Sequence, residues 1–283
     1  MISMDLVRRQ IPEYTAPGLG PLGRNVLHDP RSLAFRHRRT RRTLAHVLHE
    51  RHGPILDQGR IGSCTANAEV GAISTSPLWD ALSPAQRGSL GEPLAVAMYS
   101  DEEVMDGNGP YPPNDDGSYG LTAAKVARAR GLISGYTHAL SLADLLDMIQ
   151  GGPACIGINW YEGFDSPRPS GELVIAGQIR GGHELVLRGY DPASRMFYGD
   201  NSWGVGWGPI GGSFEISDAT MGRLLEEDGD ATQSLPLSVP APVADPLAAF
   251  FAVAGPWAAK PRSRPDLMTL QAAILALEAA EQK

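Results

Sequence analysis

In "ILDQGRIGSCTANA", residues 55–68, a cysteine stands behind a glycine turn and ahead of a run of small, helix-compatible residues, the setting of a nucleophile. A thiol attacks as thiolate, and its pKa falls from about 8.5 to roughly 3.5–7.5 at a helix N-terminus beside a cationic imidazole. Cys64 stands where such a helix would begin. Gly62 leaves the approach to the sulfur open, and Gln58 can turn its side-chain NH₂ toward the same space. With the Cys64 backbone N–H it would form an oxyanion hole, worth about 2.7–4 kcal/mol per donor in acyl transfer.

A thiol nucleophile needs a base. Among the seven histidines, His28, His37, His46, His49 and His52 lie in an arginine-rich leader and His138 in a loop. His183 follows Gly181-Gly182 at the start of a strand, where alternation puts His183, Leu185 and Leu187 on one face. Glu184 and Arg188 then read as a surface ion pair on the other. Downstream, "YGDNSWGVGWGPIGGSFEI" (198–216) supplies Asn201, an amide able to hold the His183 ring in one tautomer, and Trp203, an aromatic shield for that hydrogen bond.

Together "DQGRIGSCTANA", "GGHELVLRGYD" and "NSWGVGWGPIGGSFEI", in the order Gln, Cys, His, Asn, resemble the papain-like (C1-type) cysteine peptidases. "DDGSYGLTAAKVARARGLI" (115–133) is similar to that family's glycine-pair segment, which pairs with substrate backbone; the pair here is Gly117 and Ser118. The resemblance covers about residues 50–235. It implies an α+β fold of two lobes, a helical one carrying Cys64 and a β-rich, barrel-like one carrying His183 and Asn201, with the cleft between them. It also implies Cys64 as nucleophile, His183 as general base and acid, Asn201 as orienter and Gln58 as oxyanion donor. Gly62, Ser63, Gly117, Ser118, Tyr119, Gly182 and Trp203 would bind a peptide or protein substrate, with no cofactor and no metal. Gly120 leaves room for a bulky substrate side chain.

The chain departs from the family pattern in places. Thr65 replaces the usual aromatic after the nucleophile, and Asn67 a common aromatic or small residue, so the packing beneath Cys64 is expected to differ. Ile61 and Asp116 occupy the positions of a disulfide found in many secreted relatives. The first 50 residues are not a helical inhibitory pro-region, which leaves activation by removal of a long propeptide unsupported. The "DQG…GSCTANA" form, "GINWYEGF" and "GGHE" look more like the compact papain-like proteins of bacteria and their phages than like eukaryotic cathepsins.

The elements that must position these residues follow from periodicity. Helices are expected from Thr65, over 91–106 and 121–131, and in "LSLADLLDMIQGGP"; strands over 154–161, 171–177, 183–191, 195–203 and 212–217. Residues 1–50 read as an extended basic arm, 51–140 as a mainly helical lobe and 141–235 as a mainly β lobe. Residues 236–246 form a proline-rich linker, and 247–283 a helical tail with Leu267, Leu270, Ile274 and Leu277 on one face.

Charge is uneven: residues 1–52 carry a net +6 and the remainder −14, for a total of −8. The run "RHRRTRRTLAHVLHERHG" (36–53) reads as a solvated arm or one paired with the acidic body. It has no interleaved aromatics or binding motif, so no nucleic acid is expected. His46, His49 and His52 have metal-compatible spacing but no third ligand. No secretory h-region is present, and no apolar run reaches the about 18 residues of a membrane span. Cytoplasmic synthesis is therefore expected, association with a virion stays open, and with Cys64 catalytic the other cysteine, Cys155, has no disulfide partner within the chain.

Two further functions fit the same residues. A thioester is resolved by amines as well as water, which admits an acyl transferase or a cell-wall peptide hydrolase. A non-enzymatic assembly scaffold would use the basic arm and the tail to hold a protein partner.

Overall fold

The computed structural model describes residues 6–14, 19–40 and 43–237. From residue 238 on, the expected linker and helical tail lie outside the described residues. Helix α1 (Cys64–Ile73) is buried along nearly its whole length, its small residues Ala66, Ala68 and Ala72 letting neighbours approach closely. Around it pack α2 (Pro84–Ser89), opened by a Ser83–Gln86 capping box, α3 (Glu92–Asp106), ended by Gly107 in the left-handed region at φ 90°, and α4 (Gly120–Ala129). Their shared core includes Val70, Ile73, Met98, Tyr99, Ala124 and Val126.

The second lobe is an antiparallel sheet. Its strands are β3 (Val47–Leu48), β4 (Gly135–Ala139), β5 (Ala154–Tyr161), β6 (Ile179–Asp191), β7 (Met196–Asp200), β8 (Ser213–Ser217) and β9 (Asp230–Leu235), ordered β4-β9-β5-β6-β7-β8, with β3 paired to β6 at Gly189 and Tyr190. Helices α5 (Leu142–Met148) and α6 (Asp218–Glu226) pack on this lobe, whose core is built on Ile156, Ile158, Trp160, Leu187, Phe197 and Phe214. The lobes meet where α1 lies on β6: a Cβ added at Gly71 would sit 3.4 Å from the Val186 side chain. A separate ribbon pairs β1 (Val7–Arg9) with β2 (Val26–His28).

Within the described residues the expected helices and four of the five expected strands are present, with small shifts of boundary. The strand expected over 171–177 is not formed as a ladder: a single bridge pairs Glu172 with Glu215, and Gly171 and Gly177, at positive φ (93° and 73°), turn the chain at either end. Strands β1 to β4 and β9 and helices α2 and α6 have no counterpart among the expected elements, and β4 places a strand inside the stretch read as helical. The surface pair expected of Glu184 and Arg188 is not formed: β6 is covered on both faces, Glu184 is fully buried, and Arg188 bonds Asp200 instead.

Candidate active site

Cys64 is the first residue of α1 and is fully buried. On the facing strand β6, the backbone N–H of Glu184 hydrogen-bonds its sulfur, and His183 is the residue before Glu184 on that strand. His183 Nε2 lies 2.8 Å from Asn201 Oδ1. That oxygen also accepts the Ser202 N–H at 2.7 Å, so the group facing His183 is an acceptor and Nε2 must be the donor. The neutral ring therefore carries its lone pair on Nδ1, which is buried and has no hydrogen-bond partner. Trp203 lies over the ring with centroids 4.8 Å apart, and Trp160 meets it edge-on at 4.8 Å.

Loop geometry fixes Gln58. Its backbone N–H donates to Ser202 O (2.8 Å), its Oε1 accepts the Ser202 hydroxyl (2.6 Å), and Nε2 donates to Ile61 O (2.8 Å). One Nε2 hydrogen is left over. The turn before Cys64 is tied across the lobe: Gly62 N–H donates to Asp115 Oδ1 (2.9 Å), Asp115 shares the Tyr99 hydroxyl (2.7 Å), and that hydroxyl accepts the Gly117 N–H (2.9 Å). Beneath the cysteine, polar pairs replace aromatic packing: Thr65 donates to Glu102 (2.6 Å), Asn67 to Glu92 (2.9 Å), and Ser63 to Asn67 (2.8 Å).

Among solved structures, the chain is similar to xylellain, a cysteine protease from Xylella fastidiosa, at 19% identity and TM-score 0.60, over 82% of this chain and 98% of that one. It is also similar to digestive procathepsin L 3 of the Tenebrio molitor larval midgut, at 17% identity and TM-score 0.52, over 71% and 73%. The fold is papain-like. No protein-family model matches the chain, and no curated protein matches it in sequence.

The cleft of this papain-like fold holds the chain's own arm. Gly23 O accepts the Ser118 N–H (2.8 Å), Asn25 N–H donates to Ser118 O (2.7 Å), and both the Gly23 and Arg24 amides donate to Gly182 O (3.2 and 3.1 Å). The approach is close enough that a Cβ at Gly117 would lie 2.1 Å from Gly23 O, and one at Gly182 would lie 2.2 Å from Arg24 O. Further along, Pro21 O accepts the Trp203 indole N–H (3.2 Å), and the buried Arg180, braced by Asp165, donates to Gly20 O and Tyr14 O. The arm was expected to be extended and solvated or paired with the acidic body; its described residues include the β1–β2 ribbon and a 3-10 helix at Pro30–Phe35, and the sequence reading did not place it in the cleft. Its basic stretch docks on the acidic body, Arg36 and Arg39 on Asp144 and His37 on Asp147.

This burial sets the charge state of the pair. Burial drives the Cys64 thiol up, against the pull of the Glu184 N–H, and not down as a helix N-terminus alone would. The same burial takes His183 down to about 3, opposed by the Asn201 hydrogen bond. With the arm in place the pair is neutral thiol and neutral imidazole.

Of the residues expected to bind substrate, Gly62, Gly117, Ser118 and Gly182 line the cleft, while Trp203 roofs His183. Ser63 does not reach it through its side chain, which turns into α1 toward Asn67. Tyr119 leads into α4 and its hydroxyl receives Arg8 Nε of the arm (2.7 Å). Tyr99, Asp115, Trp160, Asp165 and Arg180 brace the site without having been singled out: Tyr99 and Trp160 are buried aromatics, Asp165 and Arg180 an ion pair, and Asp115 acts through the Gly62 N–H and the Tyr99 hydroxyl, none of which a linear pattern displays. His46, His49 and His52 turn to separate partners, Asp191, Ile149 O and Ser76. Among the described residues no cluster of metal-ligating side chains occurs, and no helix is long and apolar enough to cross a membrane.

Proposed function

We propose that the chain is a cysteine peptidase held latent by its own residues 20–25. The observation that carries this reading is the His183 ring, pinned through Nε2 by Asn201 with an unpartnered Nδ1, on the strand whose next amide touches the Cys64 sulfur. The papain-like fold of the named proteases supports it.

With the arm displaced, His183 Nδ1 takes the proton from the Cys64 thiol. The sulfur lone pair then forms an S–C bond to the peptide carbonyl carbon, and the C=O π pair moves to oxygen. The free Gln58 Nε2 hydrogen and the Cys64 N–H stabilise that oxyanion. Collapse breaks the C–N bond, and His183 returns its proton to the leaving amine. Water, deprotonated by the same Nδ1, attacks the thioester; the acid leaves and the thiol is restored. Asn201 keeps Nδ1 as the working nitrogen in both halves.

The test is hydrolysis of internally quenched peptides by the full chain, the arm-displacing Gly23→Val chain, and Gly23→Val with Cys64→Ser. Turnover that rises with Gly23→Val and vanishes with Cys64→Ser supports the reading. Absence of turnover in both chains that keep Cys64 contradicts it.

A further inference from the structure

Arg24 enters the body from the arm and is buried to 1% exposure, although a guanidinium is among the groups least often buried. Its Nη2 donates to Asp228 O at 2.7 Å and forms an ion pair with Asp230. Beside it stands Glu184, which directly follows His183 and is fully buried. The pocket exists because two positions lack side chains. A Cβ at Gly120 would lie 2.6 Å from Glu184 Oε1, and one at Gly157 would lie 2.5 Å from Arg24 Nε and 2.7 Å from Glu184 Oε2. An alanine at either place would push into the charged groups.

The fit of the arm's arginine is incomplete. Its Nε and Nη1 are buried without acceptors, and both oxygens of Glu184 are buried without donors. Unpaired donors and unpaired acceptors thus face one pocket, and each group left so is costly to bury. A guanidinium carried on a differently placed backbone would satisfy both sets and draw the Glu184 carboxyl, raised by burial, toward its charged form, whereas a neutral side chain would not.

We infer that the pocket of Glu184, Asp230, Gly120 and Gly157 selects substrates, that it takes an arginine side chain of a peptide, and that Arg24 is its resident self-ligand. The inference rests on the peptidase reading above. It makes Glu184 and Asp230 specificity residues and gives the basic arm a local role: the arm blocks the cleft by presenting the side chain the cleft prefers. Lysine fits less well, because its ammonium cannot span two carboxylates as a planar fork does.

The experiment uses the full chain, wild type and Arg24→Ala, against quenched peptide libraries carrying arginine, citrulline, lysine or leucine at each position in turn. Citrulline keeps the shape of arginine and removes the charge. One position is expected to favour arginine over citrulline by at least about tenfold, as for a site whose buried polar groups need that partner. Glu184→Gln with Asp230→Asn is expected to reduce the preference below about threefold. Cleavage that treats arginine and citrulline alike at every position overturns the subsite while leaving the peptidase reading intact. If no peptide is cleaved even by Arg24→Ala combined with the arm-displacing Gly23→Val, the peptidase reading fails instead, and the pocket is judged by binding: argininamide is expected to raise the melting temperature of Arg24→Ala above the shift given by citrullinamide, and equal shifts overturn it.

Discussion

The Gly23 carbonyl accepts the Ser118 amide at 2.8 Å, and the Ser118 carbonyl in turn accepts from Asn25 at 2.7 Å, so the arm's backbone fills the hydrogen-bonding track along the cleft. On the proposed reading, a peptide that reaches Cys64 must first take this track from residues 20–25, and latency is built from that backbone pairing.

Displacing the arm should raise reactivity. A Cβ at Gly23 would lie 2.0 Å from Gly62 O, a backbone atom that cannot swing aside. Gly23→Val is expected to speed alkylation of Cys64 by iodoacetamide by about tenfold or more, through a larger population of the open cleft. An unchanged rate would mean that the arm does not limit access.

Gln58→Ala is expected to lower kcat by about 10²–10³-fold with little change in KM, since its free amide hydrogen acts on charge that appears only in the transition state. Steady-state kinetics in the Gly23→Val background read this directly. A rise in KM alone would assign Gln58 to ground-state binding.

Thr65→Val keeps the shape of the side chain and removes the donor that meets Glu102 at 2.6 Å. Glu102 is fully buried and its other oxygen is already unpartnered. The expected loss is about 1–3 kcal/mol in urea unfolding. A neutral result would show that this polar pair does not replace the missing aromatic packing.

How much of this was legible beforehand differs by residue. Cys64, His183 and Asn201 each sit in a short local pattern, and the lobes that carry them follow from helix and strand periods. Strand β9 was invisible because "DATQSL" has no apolar alternation: Thr232, Gln233 and Ser234 are buried through hydrogen bonds to His138, Met148 O and Glu69. Glu184 was misread because alternation assumes one wet face, and β6 has none. The path of the arm depends on pairing Gly23 with Ser118 and Gly182, contacts far apart in sequence that no window of residues contains.

The pH dependence of stability carries a signed contribution from His183. Its folded pKa, about 3, lies below the ordinary value of 6.5. Between about pH 6.5 and 3 the unfolded chain binds a proton there that the folded chain does not, so stability falls on acidification by about 1.4 kcal/mol per pH unit across that window. Buried Glu184 and Glu102, whose carboxyls are raised by burial, act with the opposite sign above their ordinary range. The difference between wild type and His183→Gln isolates the histidine. Denaturant midpoints taken from pH 7 to 4 should fall less steeply for His183→Gln, and parallel slopes would contradict the buried neutral ring.

The most direct test of the central claim is covalent labelling of the Gly23→Val chain with an epoxysuccinyl peptide, read by intact mass and peptide mapping. One adduct is predicted, on Cys64, formed at neutral pH and abolished by His183→Ala, while buried Cys155 stays free. No adduct at any pH from about 5 to 8, or equal labelling with and without His183, would contradict a thiol activated by that imidazole.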